Sequence, residues 1–475
     1  MSQAIHYATA PEDRIPFHLK LIYGAGAFVN NLLAAAIGGM VIVLNLGLGM
    51  NPALVGLLGA LPRLTDAITD PLMGYISDHT RSRWGRRRPY IFVGAIVVGV
   101  VFALLWQLPA EKSESFYFWY FLIGSLIFYL GYTVFATPWV ALGYELTPDY
   151  HERTRLMGVQ SFVGQFAYMV SPYFLAIMYN ERLFDDVIDG AAGLSIVIAV
   201  VVIAVGVLPA IFLRERFSID SDTQKRMTSF LDSVRDFFRG FLITLKFKPF
   251  LKLCVATFFV FNGFILIAAF QTYVIIYYVL AGDTGLGAEF VGHAGLLGAI
   301  SSLAIIAFVT WLATRIGKRR AFFVSTGVSM IGYALKWIFY TPENPWLVLL
   351  PAPLIAFGLA GLFTLMGAMI ADVVDMDELE THERREGMYG SIFWWVVKLG
   401  QAVAIAGGGL LLNATGFDVA LDGNQPERTL HLMRLFDAFV PCVGSGIAIW
   451  AVATYTITEE KAHEVRTQLE ARRGK

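Results

Sequence analysis

Long apolar runs recur along the whole chain and set the strongest limit on its fold. About twelve of them can cross a bilayer as helices, because ~20 apolar residues span its hydrocarbon core. They lie near residues 20–46, 52–77, 89–110, 116–142, 156–180, 192–214, 250–280, 288–314, 321–340, 347–372, 387–413 and 434–457. Their continuous hydrophobicity favours helices over the alternating strands of a membrane barrel. With 56% hydrophobic and 15% charged residues, we predict an all-α membrane protein with 12 transmembrane helices.

Positive charge is concentrated in alternate loops. The residues are Arg81, Arg83, Arg86, Arg87, Arg88, Arg153, Arg155, Arg315, Lys318, Arg319, Arg320, Arg384 and Arg385. Because positively charged loops stay in the cytoplasm, we predict that both termini are cytoplasmic and that the protein lies in the inner (plasma) membrane. The chain start has no cleavable signal pattern, so the first run should serve as an uncleaved anchor.

Two short motifs recur at nearly one spacing. Gly85-Arg-Arg-Arg returns as Gly317-Lys-Arg-Arg after 232 residues, and His151-Glu-Arg returns as His382-Glu-Arg after 231 residues. This favours two six-helix halves related by a parallel repeat, with a site near the membrane midplane. We predict an N-terminal bundle, a cytoplasmic linker, a C-terminal bundle and a cytoplasmic tail over residues 1–214, 215–249, 250–457 and 458–475. The linker has an amphipathic stretch, Phe230 to Leu242, predicted to lie along the inner membrane surface.

The second run carries charged side chains at hydrocarbon depth. It reads Arg63-Leu-Thr-Asp66-Ala-Ile-Thr69-Asp70-Pro71, and in a continuous helix Arg63, Asp66 and Asp70 share one face. In one interpretation, Arg63 neutralises an aspartate and only locks the helix to its neighbours. In the other, Asp66 and Asp70 bind Na⁺ or share a proton, with Thr69 as a further oxygen ligand. We favour the cation site, because one arginine cannot neutralise two carboxylates and ionisable groups within the membrane are usually functional.

Other polar residues lie inside apolar runs. Thr133, in the fourth run, either presents its hydroxyl to the carboxylates or bonds back to its own helix. Lys398, in the eleventh, needs a counter-ion, for which the second-run carboxylates are candidates. Lys336, near the outer end of the ninth, is predicted to extend its ammonium group to the interface.

Polar and aromatic residues of several runs are candidates for substrate binding. The amides of the first and fifth runs either join helices or face a cavity or water-filled path. The candidates are Asn30, Asn31, Gln160, Ser161, Gln165, Asn262, Phe363, Phe393 and Trp394.

Four motifs together resemble one transporter family. They are Arg63-x-x-Asp66-x-x-x-Asp70-Pro71, Ser82-Arg-Trp-Gly-Arg-Arg-Arg-Pro89, Ala371-Asp-Val-Val-Asp375 and Val397-Lys398-x-Gly400. They resemble the glycoside–pentoside–hexuronide cation symporters, the melibiose-permease branch of the major facilitator superfamily. The resemblance implies a major facilitator fold with two six-helix pseudo-repeat bundles and cation-coupled uptake of a sugar or glycoside. It also implies that Asp66 and Asp70 bind the cation with help from Thr69 and Thr133, and that Lys398 couples the eleventh helix to that site. We assign Arg63 a coupling role as well, because cation binding would release it to reorganise.

The sequence departs from this family at the sugar site. At the cation site, Thr69 stands where melibiose-type members have an asparagine. In those members two acids and an arginine bind the sugar, and the corresponding positions here are Asn31, Ala136 and Ser161. The polar residues that precede the eleventh-helix lysine in that family are replaced here by Phe393 and Trp394, before Lys398. Aromatic faces stack on a pyranose or line a path for an apolar solute, so an amphiphile is the alternative substrate. The animal lysolipid symporters resemble the same family and carry such a cargo.

The sequence predicts a transporter rather than an enzyme. It shows no nucleophile–base pair and no cluster of metal ligands, and the pairs Asp78-His79 and His151-Glu152 are interpreted as solvated or ion-paired loop residues. Cys254 and Cys442 lie far apart in apolar runs and are predicted to be free thiols. The predicted partners are a small-molecule substrate and membrane lipid, with no nucleic acid; the protein is predicted to be a monomer with no cofactor besides the coupling ion, Na⁺ or H⁺.

Overall fold

The structure is a computed structural model that describes residues 11–109, 111–147, 149–215, 246–382 and 386–472. All regular structure in these ranges is helical. The α-helices are α1 Phe17–Met40, α2 Val43–Leu46, α3 Pro52–Ala60, α4 Asp66–His79, α5 Arg88–Leu105, α6 Glu114–Glu145, α7 Tyr150–Val170, α8 Phe174–Met178, α9 Val187–Gly206, α10 Leu208–Phe212, α11 Lys248–Tyr273, α12 Thr284–Ile316, α13 Lys318–Phe339, α14 Pro351–Thr381, α15 Glu386–Ala414, α16 Glu427–Ala453 and α17 Glu459–Arg472. A π-helical turn, Val274–Val279, extends α11.

Eleven helical segments in the described ranges are long and apolar enough to cross a membrane. The second predicted run is different, because it is interrupted. It consists of α3, a 3₁₀ segment Leu61–Thr65 and α4, and the expectation of one continuous helix over 52–77 is therefore wrong. The break follows from Pro62, which has no backbone N–H and whose ring collides with the carbonyl four residues earlier.

The chain forms two compact units, and the interruption coincides with their boundary. One unit contains Met1–Met40 and Thr65–Phe230, and the other contains Val41–Leu64 and Leu231–Lys475. Thus α3 belongs to the second unit and α4 to the first. The predicted linker lies mostly outside the described residues, as does the amphipathic stretch Phe230 to Leu242, so the division into domains stays a prediction.

Aromatic packing dominates the core of the first unit. In it α1 packs on α7 and α5 packs on α6 and α9. The ring of Trp139 stacks on Tyr23 at 5.2 Å between centroids, and Phe102 lies 5.7 Å from Phe128. Helix α4 packs on α6, so this aromatic core holds in place the helix that carries the charged residues.

The second unit is built around α11, which packs on α14, α15 and α16. A buried ion pair joins α13 to α16 inside it: Lys336 Nζ lies 2.6 Å from Asp437 Oδ1, and the two side chains are 1% and 2% exposed. The prediction that Lys336 reaches the interface is wrong, because a carboxylate from a distant part of the sequence neutralises it inside the bundle.

The repeated basic loops have matching local structures in the two units. Gly85 and Gly317 both have positive φ, +104° and +84°. Gly85 lies three residues before the start of α5, and Gly317 lies directly before α13. In the first unit the Glu215 carboxylate accepts hydrogen bonds from the backbone N–H groups of residues 86, 87 and 88. In the second, Glu459 lies beside Gly317, where an added Cβ would meet its Oε2 at 2.8 Å. The repeat seen in the sequence thus has a structural counterpart.

Candidate functional site

The break in the second span places a carboxylate at a helix start. Asp66 is the first residue of α4, and its side chain is 5% exposed. The 3₁₀ segment Leu61–Thr65 runs directly into α4, and Thr65 has helical backbone angles. Asp66 is therefore buried just after a change from 3₁₀ to α-helical geometry.

Oxygen atoms of α4 and α6 meet one turn further along. Thr133 Oγ1 donates a hydrogen bond to Asp70 Oδ1 at 3.0 Å, and Thr69 Oγ1 lies 3.4 Å from Thr133 Oγ1. Thr69 also donates to the carbonyl of Thr65 at 3.1 Å. Thr133 is buried and Asp70 is half-buried. Carboxylate and hydroxyl oxygens are the hard ligands that cations such as Na⁺ require, so this cluster has suitable chemistry for a cation or a proton.

The two predicted coupling residues both lie in the second unit. Arg63 belongs to the 3₁₀ segment, and its Nη1 donates to Gln401 Oε1 on α15 at 2.7 Å. Lys398 is half-buried on the same helix, three residues before Gln401. The pairing of Lys398 with a carboxylate of α4 stays a prediction.

The predicted amides of the first run join helices. Tyr132 on α6 donates to Asn30 Oδ1 at 2.8 Å, Asn30 donates to Asn31 Oδ1 at 3.2 Å, and Asn31 donates to the carbonyl of Gly164 on α7 at 3.1 Å. This chain connects α1 to both α6 and α7, which favours the helix-joining interpretation for these amides.

The other polar candidates are less closely grouped. On α7, Ser161 is exposed, whereas Gln160 and Gln165 are half-buried. The Oε1 atom of Gln160 is buried and has no hydrogen-bond partner among the described residues. In the second unit, Asn262 donates to the carbonyl of Phe258 in its own helix at 2.6 Å, and its Nδ2 would lie 2.6 Å from a Cβ added at Gly400 on α15.

The aromatic candidates form one cluster in the second unit. Phe363 on α14 stacks on Trp394 of α15, with centroids 5.9 Å apart and an interplanar angle of 17°. Phe261 packs edge-on against Phe363, and Phe393 packs edge-on against Trp394. Phe393 is buried, whereas Phe363 and Trp394 are 37% and 56% exposed. The cluster therefore presents an open aromatic surface on a packed base.

Two carboxylates, Glu152 and Asp372, are held by basic partners. Glu152 Oε1 accepts from the backbone N–H of Ile15 at 2.9 Å and lies 2.6 Å from Lys20 Nζ, while its Oε2 lies 3.1 Å from Arg155 Nη1. Burial raises the pKa of this carboxyl, but the bonds from Lys20, Ile15 and Arg155 outweigh burial and leave the pKa below its ordinary value of 4.5. At the repeated loop of the second unit, Lys318 pairs with Asp372 at 2.7 Å.

Sequence reasoning missed two residues that contact the candidates directly. They are Tyr132, which bonds to Asn30, and Gln401, which bonds to Arg63. Both were visible as polar residues in apolar runs, but their partners are distant in the sequence. The break between α3 and α4 had a stronger signal, since Pro62 lies within the run.

Known proteins match the chain over nearly its full length. The family model described as MFS/sugar transport protein matches residues 22–459. An uncharacterized symporter of Synechocystis sp. is 26% identical and covers 97% of this chain and 98% of its own length. The isoprimeverose transporter of Lactiplantibacillus pentosus is 23% identical and covers 94% of this chain and 90% of its own.

A relative with a different cargo and a solved structure also match. The sodium-dependent lysophosphatidylcholine symporter 1 of Xenopus tropicalis is 23% identical and covers 86% of this chain and 81% of its own length. The crystal structure of a D-xylose-proton symporter superposes with a TM-score of 0.64 at 14% identity, covering 94% of this chain and 99% of that one; at this identity it supports the fold alone. The chain is therefore a multi-pass membrane transporter with the major facilitator fold, not an enzyme, and it belongs to the MFS/sugar transport protein family, among the glycoside–pentoside–hexuronide cation symporters.

Proposed function

We propose that this protein is a secondary active transporter that carries a sugar or glycoside into the cell together with Na⁺ or H⁺. The observation that carries the proposal is the oxygen cluster of α4 and α6, in which Thr133 donates to Asp70 at 3.0 Å. Asp66 and Asp70 bind the cation, and the hydroxyls of Thr69 and Thr133 complete the site.

Coupling in this proposal is a thermodynamic linkage. Two carboxylates one helical turn apart repel each other, and a cation or proton relieves the repulsion. Cation binding then favours the state that accepts the solute from outside, and release inside favours the return of the empty carrier. Arg63 and Lys398 carry compensating positive charge and respond to the loading of the site.

The polar amides and the aromatic cluster provide the solute site in this proposal. Gln160, Ser161 and Gln165 supply polar partners in the interior of α7, and Asn262 supplies one on α11. Asn30 and Asn31 fix the geometry of α1. The exposed faces of Phe363 and Trp394 stack on the apolar face of a pyranose.

A more apolar or amphiphilic solute is the second candidate. Two observations favour it: the exposed stacked pair of Phe363 and Trp394, and a relative named for lysophosphatidylcholine. An exposed aromatic surface suits an acyl chain or an apolar aglycone as well as a sugar ring.

We further propose that the protein works as a monomer in the plasma membrane with both termini in the cytoplasm. The clusters of Arg and Lys in alternate loops support this orientation. The coupling ion is the only non-protein component that the proposed cycle requires.

Uptake into proteoliposomes tests the proposal. Radiolabelled sugars, glycosides and lysolipids are offered under an inward Na⁺ gradient, an inward H⁺ gradient or neither. We expect accumulation of one class that requires one of the two gradients. Accumulation that is the same with and without a cation gradient would refute coupled symport, and uptake of lysolipid alone would select the second candidate.

A further inference from the structure

The first half of the second span, α3, is docked on α15 by unusually close backbone contact. A Cβ added at Gly56 would lie 2.9 Å from the carbonyl oxygen of Ile405, and one added at Gly409 would lie 2.3 Å from the carbonyl oxygen of Pro52. Real side chains do not fit at these distances, so glycine is required at both positions. Small residues allow this kind of close helix packing within membranes.

Hydrogen bonds close both ends of this contact. Asn51, before α3, donates to Asn413 Oδ1 near the end of α15 at 3.2 Å. Arg63, after α3, donates to Gln401 Oε1 at 2.7 Å. The two helices are antiparallel, because Asn51 meets Asn413 and Arg63 meets Gln401. The glycine contact lies between the two bonds.

The bond from Arg63 to Gln401 lies at the junction between α3 and α4. Arg63 lies in the 3₁₀ segment three residues before Asp66, and Gln401 lies one turn after Lys398 on α15. A guanidinium–amide bond involves a charged donor and is stronger than a neutral one. It therefore fixes the segment that joins the docked helix α3 to the helix that carries the carboxylates.

We propose that Gln401 is a positioning residue for coupling: its bond to Arg63 and the glycine contact form a latch that holds α3 on α15. The proposal rests on the proposed symport function, since the latch must open and close once in each transport cycle. Its strength sets how often α3 leaves α15, and through the 3₁₀ segment it ties that motion to α4.

Cross-linking measures the latch without any solute. The pair Asn51→Cys/Asn413→Cys is placed in a Cys254→Ser/Cys442→Ser background, and the rate of oxidative cross-linking reports how often α3 is docked. We expect Gln401→Leu to lower the ratio of docked to undocked α3 about tenfold, the effect of losing one hydrogen bond to a charged group, and so to slow cross-linking. Gln401→Glu keeps an acceptor and should cross-link at least as fast as the parent. Gln401→Asn, whose side chain is shorter, should fall between them.

Controls separate the latch from general destabilisation and from the proposed function. Gln107→Leu makes the same change at an exposed position of the first unit and should leave the rate unchanged. Gln401→Leu should still bind Na⁺ or take up a proton, since the substitution leaves the oxygen cluster of α4 intact. Equal cross-linking in Gln401→Leu and Gln107→Leu would overturn the latch. Should the parent show no cation-dependent uptake while cross-linking still depends on residue 401, symport fails and the latch stands.

Discussion

The two halves of the second span have opposite chemistry. The first half, α3, has no charged side chain and packs on α15 through glycines in close backbone contact. The second half, α4, begins with a buried aspartate and packs on α6 through carboxylate and hydroxyl groups. The difference teaches that a single apolar run can contain two helices with different tasks when it is broken between them. One helix packs closely on a neighbour, and the other carries ionisable side chains.

The largest effect should come from neutralising the charged half. Asp70→Asn and Asp66→Asn each remove a carboxylate that we expect to bind the cation, so gradient-driven accumulation should fall about hundredfold or more while exchange of solute persists. Proteoliposome uptake and counterflow measure the two activities. Asp189→Asn, at an exposed position of α9, is the matched control and should be unaffected. Full accumulation by both variants would show that the carboxylates of α4 are not needed for coupling, and α4 would then differ from α3 only in composition.

Crowding the uncharged half should have the next largest effect. An added Cβ at Gly409 collides with Pro52, so Gly409→Ala should force α3 away from α15 at a cost of ~1–3 kcal/mol and slow transport severalfold. Gly407→Ala, on the same helix, meets its nearest neighbour at an ordinary 3.7 Å and should be tolerated. The melting temperatures and the uptake rates of the two variants are compared with those of the parent. Equal behaviour of the two variants would contradict close docking.

A smaller effect should follow from removing one hydroxyl of the oxygen cluster. Thr133→Val keeps the shape of the side chain but loses the bond to Asp70, and cation affinity should fall about tenfold. Thr133→Ser keeps a hydroxyl and should retain most of the affinity. The cation affinity of each variant is measured by titrating the cation in a thermal-shift assay and following the rise in melting temperature. If Thr133→Val binds cations as tightly as the parent, the hydroxyl is not part of the site.

The smallest effect concerns a carboxylate that already has its partners. Because the pKa of Glu152 is lowered in the folded protein, its contribution to stability is present above its ordinary pKa of 4.5 and is lost as the pH falls through the folded value. Glu152→Gln should lower the melting temperature at neutral pH by a few degrees, and the difference should shrink below the ordinary pKa. Neither result should depend on Na⁺, in contrast to Asp66 and Asp70. A sodium-dependent difference would make Glu152 part of the cation site.

The sequence predicted the membrane fold and the chemistry of α4, because both follow from local patterns. Continuous apolar runs specify spanning helices, and two aspartates one turn apart at hydrocarbon depth specify a polar face. Thr133 was a candidate because it is a polar residue in an apolar run and because the resemblance implied it, and its hydroxyl does bond to Asp70.

What the sequence missed depends on contacts between distant residues. Lys336 is neutralised by Asp437, 101 residues later, and Arg63 is bound by Gln401, 338 residues later. Hydrophobic periodicity gives the face of a helix but not the helix that packs against it. The break at Leu61–Thr65 was a different kind of error, since Pro62 lay within the run and the continuous-helix interpretation did not use its missing N–H.

Cation binding by the purified protein tests the central claim most directly. Retention of radioactive sodium at alkaline pH and proton uptake on acidification are measured for the parent and for the Asp66→Asn/Asp70→Asn variant. The account predicts that the parent binds a saturable cation, Na⁺ or H⁺, that the double variant does not bind. Identical sodium retention and identical proton uptake in the two proteins would contradict it.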